Sequence, residues 1–576
     1  MREFEHFPNL VTMFFTRAKE QGDAPFLWAK HEGAWQPISW AEAAHQVAAL
    51  AQSLKSLGLE PGDRVMLVSE NRPEWCIADL GIMAAGCVTV PTYTTNMERD
   101  HQHIIEDSGA SAIIVSTPKL AQSVMPAAIR ATRTHQLIGI EPLRVGQSTG
   151  VTIQNWADLV SGPADVDACA AHAAANFKRD DLACIIYTSG TGGAPRGVRQ
   201  HHGAILCNVE GCAEIIAEDF GWDDEVFLSF LPLSHAYEHT GGQHFPIGLG
   251  AQIYYSEGLE KLASNIEETR PTLMVVVPRL FEVLRARILK QIEKQGALPQ
   301  ALMRRALALG AKELAGGLSL WDRPLNAVIN RTLRPKIQQR FGGRMKAMVS
   351  GGAPLNPDIG VFFHAMGLSM LQGYGQTEAG PVVSVNLPWA NRHESVGMAL
   401  EGVACRIAAD GEILIQGDLV MTGYWGNAEA TASTLKPDGD DPRPWLHTGD
   451  IGELRDGFLY ITDRKRDFIK LMGGDMISPA KIESQLMAEP EIQQALVAGE
   501  GKAGLVALIV PAEGQEAAVP AAVARVNARL AIIERIRRHG VTTPFTIENG
   551  LLTPTMKLKR RAALQERAAE VERLGD

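Results

Sequence analysis

Short apolar runs alternate along this chain with stretches whose apolar residues recur every third or fourth position. A short apolar run bounded by polar residues reads as a buried strand, and the longer period as a helix with one apolar face. Arg64-Val65-Met66-Leu67-Val68 is such a strand, a helix follows through Trp75 to Ala85, and Val88-Thr89-Val90 is the next strand. Residues 112–115 and 137–140 continue the alternation, and a second series falls at 226–228, 253–255, 273–277, 346–349 and 370–372. Ser39-Trp40-Ala41-Glu42 has the form of a capping box, opening a helix with Val47, Leu50, Ala51 and Leu54 on one face and Gly58 as its stop. Parallel strands need crossover connections, so strands that alternate with helices predict largely parallel α/β layers. Between Val403 and Tyr460 the strands crowd together and helix is scarce, which suits a small β subdomain.

A chain of 576 residues exceeds one core. The charged stretch Asp463-Arg464-Lys465-Arg466-Asp467 marks a boundary. Beyond it come a strand at 468–471, a turn at Gly473-Gly474, a helix opened by Ser478-Pro479, a strand at 505–510, and an Ala/Arg-rich helix over 520–538. The expected fold class is therefore α/β. A large N-terminal domain, residues 1–462, holds two α/β layered subdomains and the small β subdomain; a small α+β C-terminal domain covers 463–576.

With 45% hydrophobic and 21% charged residues the composition is that of a soluble globular protein. It has no apolar run of bilayer length, and Met1-Arg2-Glu3-Phe4-Glu5-His6 is not a signal-peptide start, so a cytoplasmic location is expected. Seven scattered cysteines without paired spacing predict reduced thiols rather than disulfides or a structural zinc. A net charge of −11 argues against nucleic-acid binding. Residues 281–346 nevertheless carry fourteen Lys/Arg against four Asp/Glu. That segment reads either as a solvated helical face or as a basic face for coenzyme A phosphates or anionic lipid, which would add peripheral contact at the inner face of the membrane.

The chemistry is concentrated where strands end. The run 182–186 opens into Tyr187-Thr188-Ser189-Gly190-Thr191-Gly192-Gly193-Ala194-Pro195-Arg196-Gly197-Val198. Its glycines free backbone N–H groups to face a ligand, Thr188, Ser189 and Thr191 add donors, and Arg196 fixes a positive charge, so the loop suits a polyphosphate. No Gly-Lys-Ser/Thr closes it, so it is not the P-loop pattern. In Gln372-Gly373-Tyr374-Gly375-Gln376-Thr377-Glu378 an aromatic between glycines can offer its face to a base. Thr377 can donate to a phosphate oxygen, and Glu378 suits Mg²⁺, which prefers oxygen ligands. Asp450, in His447-Thr448-Gly449-Asp450, can accept both hydroxyls of a cis-diol.

These motifs, in this order and over almost the whole chain, resemble the adenylate-forming superfamily of acyl-CoA synthetases, adenylation domains and luciferases. The usual loop there is Tyr-Thr-Ser-Gly-Thr-Thr-Gly-x-Pro-Lys-Gly-Val, so Gly192 stands in place of a hydroxyl residue and Arg196 in place of Lys. The resemblance implies ATP, Mg²⁺ and coenzyme A as ligands. It places Gly352, Ala353 and Pro354 at adenine, with Gln372, Gly373, Tyr374 and Gly375 also at the nucleotide; Asp450 and Arg464 take the ribose, and Glu378 with Thr191 the metal. Lys557 becomes the catalytic lysine, with Met556 where Gly is usual, acting with Thr377, Glu378 and His235. It also implies a mobile C-terminal domain with its hinge near Arg466, and Gly473 and Gly474 approaching the pantetheine arm.

Leu231-Pro232-Leu233-Ser234-His235-Ala236-Tyr237-Glu238-His239, Val277-Pro278-Arg279-Leu280-Phe281-Glu282 and Asn549-Gly550-Leu551-Leu552-Thr553-Pro554-Thr555 resemble the long-chain fatty acyl-CoA synthetases in particular. The implied function is an AMP-forming fatty acid:CoA ligase. An aryl or medium-chain acid:CoA ligase, a ligase loading a carrier protein, and a non-catalytic adenylate-binding relic are the alternatives. Monomer and dimer stay open.

Overall fold

The computed structural model describes residues 4–144, 150–188, 195–222, 224–314, 316–353, 355–438, 441–464, 468–472 and 476–575. Among them, two large sheets dominate. One has seven strands, in the spatial order Thr152–Asn155, Gln136–Gly139, Ala112–Val115, Arg64–Val68, Val88–Thr92, Leu182–Thr188, Arg196–His201. Its first six strands run parallel, and Arg196–His201 returns antiparallel to Leu182–Thr188, with Arg196 opposite Thr188. Alternate residues serve two cores. Val65, Leu67, Ala112, Ile114, Cys184 and Ile186 enter one, while Met66, Val68, Ile113, Val115, Ile185 and Tyr187 enter the other. That is the period of a strand covered on both faces, as the parallel pattern requires.

The second sheet has nine strands, and its centre is parallel: Met370–Gly375, Ala347–Ser350, Leu273–Val276, Val226–Ser229, Gln252–Tyr255, Pro25–His31. One face shares the first core through Leu27, Ile253 and Tyr255. Helices Pro278–Glu293, Ala297–Leu314, Arg323–Arg340 and Pro357–Ala365 cover the other, burying Phe281, Met303, Ile329 and Phe363 against Met274, Val276 and Met348. The helix Trp40–Ser56 starts where its capping box predicts, with the Ser39 side chain accepting from the Glu42 N–H. A five-stranded antiparallel sheet spans Ala404–Ile407 to Phe458–Arg464 and forms the β subdomain.

The last hundred residues build a separate core around strands Ile492–Ala498, Leu505–Pro511 and Ile536–Val541, with helices Pro479–Met487 and Val519–Arg529. Here one expectation is corrected: the helix expected over 520–538 ends at Arg529, and Ile536–Val541 is a strand parallel to Leu505–Pro511. The Asn527 side chain accepts from the Ile536 N–H and donates to its carbonyl, tying the helix to the strand start. Parallel pairing then satisfies the backbone that a longer helix would have used.

Candidate active site

Several loops that follow strands of the two large sheets converge on one cavity of about 980 Å³. Thr188 and Arg196 flank the mouth of one hairpin and line it. Gly352 and Ala353 follow Ala347–Ser350; Gly373, Tyr374 and Gly375 end Met370–Gly375; Thr377 and Glu378 form the short helix just beyond. The β subdomain supplies Asp450, and the C-terminal region supplies Thr553, Met556 and Lys557. Gly375 permits this closeness, since a Cβ there would stand 1.7 Å from the Pro381 carbonyl oxygen.

Hydrogen bonds fix the carboxylates. The Tyr374 hydroxyl donates to Asp450 Oδ2 at 2.7 Å, and the Tyr424 hydroxyl to Glu378 Oε1 at 2.9 Å. Arg196 lies over the Tyr424 ring, 5.6 Å from its centroid, so cation, ring and carboxylate form a chain along one wall. Burial, reinforced by Glu378, raises the Tyr424 phenol and keeps it a donor. Glu412 braces the turn before Asp450: Oε1 accepts from the Gly449 N–H at 2.9 Å and Oε2 meets His447 Nδ1 at 3.1 Å.

His235 Nδ1 accepts from the Tyr237 N–H at 3.2 Å. Burial, with the Lys557 charge adding to it, lowers the imidazole to about 4. At neutral pH it is therefore an uncharged ring whose Nε2 carries the proton. His239 does not join it: its Nε2 meets Asp79 Oδ2 at 2.8 Å and His244 Nε2 at 3.2 Å in a wholly buried cluster. His201 and His202 pack and cap instead of facing the cavity; His201 Nδ1 accepts from the Ala204 N–H.

Of the residues singled out in the sequence, the cavity gathers Thr188, Arg196, His235, Gly352, Ala353, Gly373, Tyr374, Gly375, Thr377, Glu378, Asp450 and Lys557. Gln372 is not among the residues lining the cavity, and its amide oxygen is buried. The Arg464 backbone stands opposite Asp450 in their hairpin. Ser189, Gly190, Thr191, Gly192, Pro354, Gly473, Gly474 and the hinge position Arg466 lie outside the described residues. Tyr424 and Glu412 were not found from sequence. Each sits in a β subdomain segment with no spacing that ties it to the carboxylate or turn it holds.

A second, small cavity of about 70 Å³ adjoins the first and is lined by apolar groups including Ile216, Phe227, Phe245, Leu273 and Met274. Tyr237, Val349 and Val382 line both cavities. The Tyr237 hydroxyl donates to the Val349 carbonyl at 2.8 Å, and that bond holds its ring in the shared wall.

The sequence matches the AMP-binding enzyme family over residues 14–425 and the AMP-binding enzyme C-terminal domain over 466–575. The chain belongs to the AMP-binding enzymes. It is 32% identical to the long-chain-fatty-acid–CoA ligase FadD15 of Mycobacterium tuberculosis, over 98% of this chain and 96% of that protein. It is also 32% identical to the peroxisomal long chain acyl-CoA synthetase 7 of Arabidopsis thaliana, over 92% of this chain and 80% of that one. Its fold is shared with the A domain of the carboxylic acid reductase of Segniliparus rugosus, solved with AMP and a co-purified carboxylic acid. That match has a TM-score of 0.77 at 19% identity, covering 98% of this chain and 94% of that chain.

Proposed function

We infer that the protein is an AMP-forming fatty acid:CoA ligase, acting on long-chain acids. The observation that carries the reading is the shared wall: a polar cavity with carboxylates, glycines and a lysine opens beside an apolar one across Tyr237 and Val349. A molecule with a carboxylate head and an aliphatic tail spans that boundary, head toward Lys557. The long-chain names of the two relatives support the same substrate class.

The roles follow from charge. A carboxylate attacking the α-phosphorus of ATP brings two anions together, so neutralisation comes before orientation. Arg196 and the loop 189–194 would meet the phosphates, Tyr374 would lie along adenine, and Asp450, already oriented by Tyr374, would accept from the ribose, with Arg464 beside it. Lys557 would bridge carboxylate and α-phosphate as the acid oxygen bonds to phosphorus and pyrophosphate leaves. A hard divalent cation suits the Glu378 carboxylate, with the Thr191 hydroxyl assigned as a further ligand by the resemblance, and when bound would neutralise phosphate charge. The thiolate of coenzyme A then attacks the acyl carbonyl and AMP departs. Lys557 has no work in that second step, and we assign 1–462 and 463–576 as the two bodies that rearrange between steps about Arg466, bringing Gly473 and Gly474 to the pantetheine arm. Pyrophosphate release from ATP and palmitate, then AMP release that requires coenzyme A, tests the reading. Pyrophosphate with no acid tried would leave the non-catalytic relic; turnover confined to aryl or short acids would move the substrate class.

The basic segment gains a further feature in three dimensions. No helix among the described residues is long and apolar enough to cross a membrane. The turn between Ala297–Leu314 and Arg323–Arg340, however, exposes Leu320 by 71% and Trp321 by 92%. The turn is ordered by its own bonds: Asp322 Oδ2 accepts from the Ser319 hydroxyl at 2.8 Å, and Lys312 Nζ reaches Asp322 Oδ1 at 3.1 Å. Arg304, Arg305, Arg323, Arg331 and Lys336 are exposed on the same two helices and the turn. An apolar tip ringed by cations suits peripheral contact with an anionic bilayer. Vesicles rich in phosphatidylglycerol should therefore retain the protein at low salt and release it as salt rises. Binding that survives both Leu320→Ser and Trp321→Ser would place the contact elsewhere.

A further inference from the structure

The Lys557 turn contains a residue that its backbone does not favour. Met556 has φ +61°, in the left-handed region that glycine or asparagine occupies readily and that costs a residue with a Cβ and a long side chain. Among the described residues three other non-glycines share this sign, Glu32, Arg270 and Asp456, and none of those lines the nucleotide cavity. The turn itself is local: the Met556 N–H donates to the Thr553 carbonyl at 2.8 Å, the Lys557 N–H to Thr553 Oγ1 at 3.0 Å, and the Thr553 N–H to the Lys557 carbonyl at 2.8 Å. Nothing in that pattern calls for a large apolar side chain at position 556.

The side chain is used across the cavity. Met556 packs against the buried cluster Leu231, Tyr237, Val275 and Val277, which belongs to the N-terminal region more than 270 residues away in sequence. Tyr237 and Val275 line the apolar cavity, and Tyr237 and Val277 line the nucleotide cavity. Met556 therefore rests on the partition between the two, one residue from the lysine whose charge reaches His235.

We propose that Met556 is a positioning residue that docks the Lys557 turn onto the acyl side of the site. Its thioether side chain occupies an apolar seat shaped by Tyr237, so Lys557 is held by packing as well as by charge. An acyl chain behind Tyr237 and Val275 firms that seat, which makes placement of the lysine depend on occupancy of the apolar cavity. A flexible unbranched side chain suits a contact that must be made and broken in each cycle.

This inference rests on the ligase reading, and its test separates the two. Met556→Gly relieves the backbone and removes the packing; Met556→Asn keeps a residue tolerant of positive φ but is polar; Met556→Leu keeps apolar bulk. Adenylate formation with a long-chain acid should fall about ten-fold in the Gly and Asn variants, on the order expected for losing one half-buried side chain. It should return to within about three-fold in Met556→Leu. Thioester formation from preformed acyl-adenylate and coenzyme A should stay within about two-fold in all three. With acetate or butyrate, too short to fill the apolar cavity and firm the seat, the loss in Met556→Gly should be smaller than with a long-chain acid. A Met556→Gly variant that adenylates as fast as the parent, or a Leu variant as slow as Gly, overturns the docking role, as does equal loss in both half-reactions. A parent chain that activates no acid overturns the functional reading itself.

Discussion

The two sides of the nucleotide cavity are built differently. On the N-terminal side each functional carboxylate is held by another side chain: Asp450 by Tyr374, Glu378 by Tyr424, and the turn before Asp450 by Glu412. The opposing side is one turn, residues 553–557, whose backbone bonds close on themselves and whose apolar contact with the other side runs through Met556. The first construction orients the groups that, in the proposed reaction, would hold the nucleotide throughout. In the proposed cycle the second presents a cation on a turn whose own backbone bonds travel with it when it leaves. On the proposed mechanism, rigidity would lie where binding needs it and separability where the reaction changes partner.

The strongest way to break this comparison is to remove the charge on each side. Lys557→Ala should slow adenylation by about 10²-fold or more, the scale of losing one preorganised charge, yet leave thioester formation from preformed adenylate near the parent rate. Lys559→Ala, two residues on, should show neither effect. Glu378→Ala should slow adenylation on the same scale with the fold intact. If Lys557→Ala abolishes both half-reactions equally, the withdrawable side is not withdrawn.

A smaller effect probes the fixed side. Tyr374→Phe keeps the ring and deletes the hydroxyl that Asp450 accepts, and hydrogen bonds to a charged group contribute about 1.5–3 kcal/mol. The KM for ATP should rise about ten-fold, with kcat changed much less, because a ribose contact serves ground and transition states alike. A fall in kcat at constant KM would show that the hydroxyl acts in the chemical step instead.

A separate prediction concerns stability beneath the same wall, read without any substrate. Glu238 is wholly buried, and Ser229 Oγ donates to its Oε1 at 2.6 Å. Burial pushes its carboxyl up to about 8, so at pH 7 it is neutral in the folded chain and ionised in the unfolded one. A folded value above the unfolded value stabilises fully below about 4.5 and is lost as pH rises through 8, at up to about 1.4 kcal/mol per pH unit. Urea unfolding at pH 5, 6.5 and 8 should show this decline, and Glu238→Gln, the shape of the neutral acid, should flatten it. Identical slopes in parent and variant would mean that Glu238 is ionised in the fold.

The sequence by itself determined the fold class, the alternation of strand and helix, and the loops in which the chemistry lies, because period, glycine placement and capping are local properties. It could not show that the helix after Val519 stops at Arg529, since parallel pairing of Ile536–Val541 with Leu505–Pro511 is a contact between distant segments. Nor could it show that Tyr424 holds Glu378 across 46 residues or that Glu412 braces the Asp450 turn across 37. Met556 was legible as a departure from glycine and illegible as a contact. Its φ is set by the turn, but its seat on Leu231, Tyr237, Val275 and Val277 exists only once two separately built cores face one cavity. Local propensity can be read along a chain, whereas complementarity between surfaces depends on where every other residue has gone.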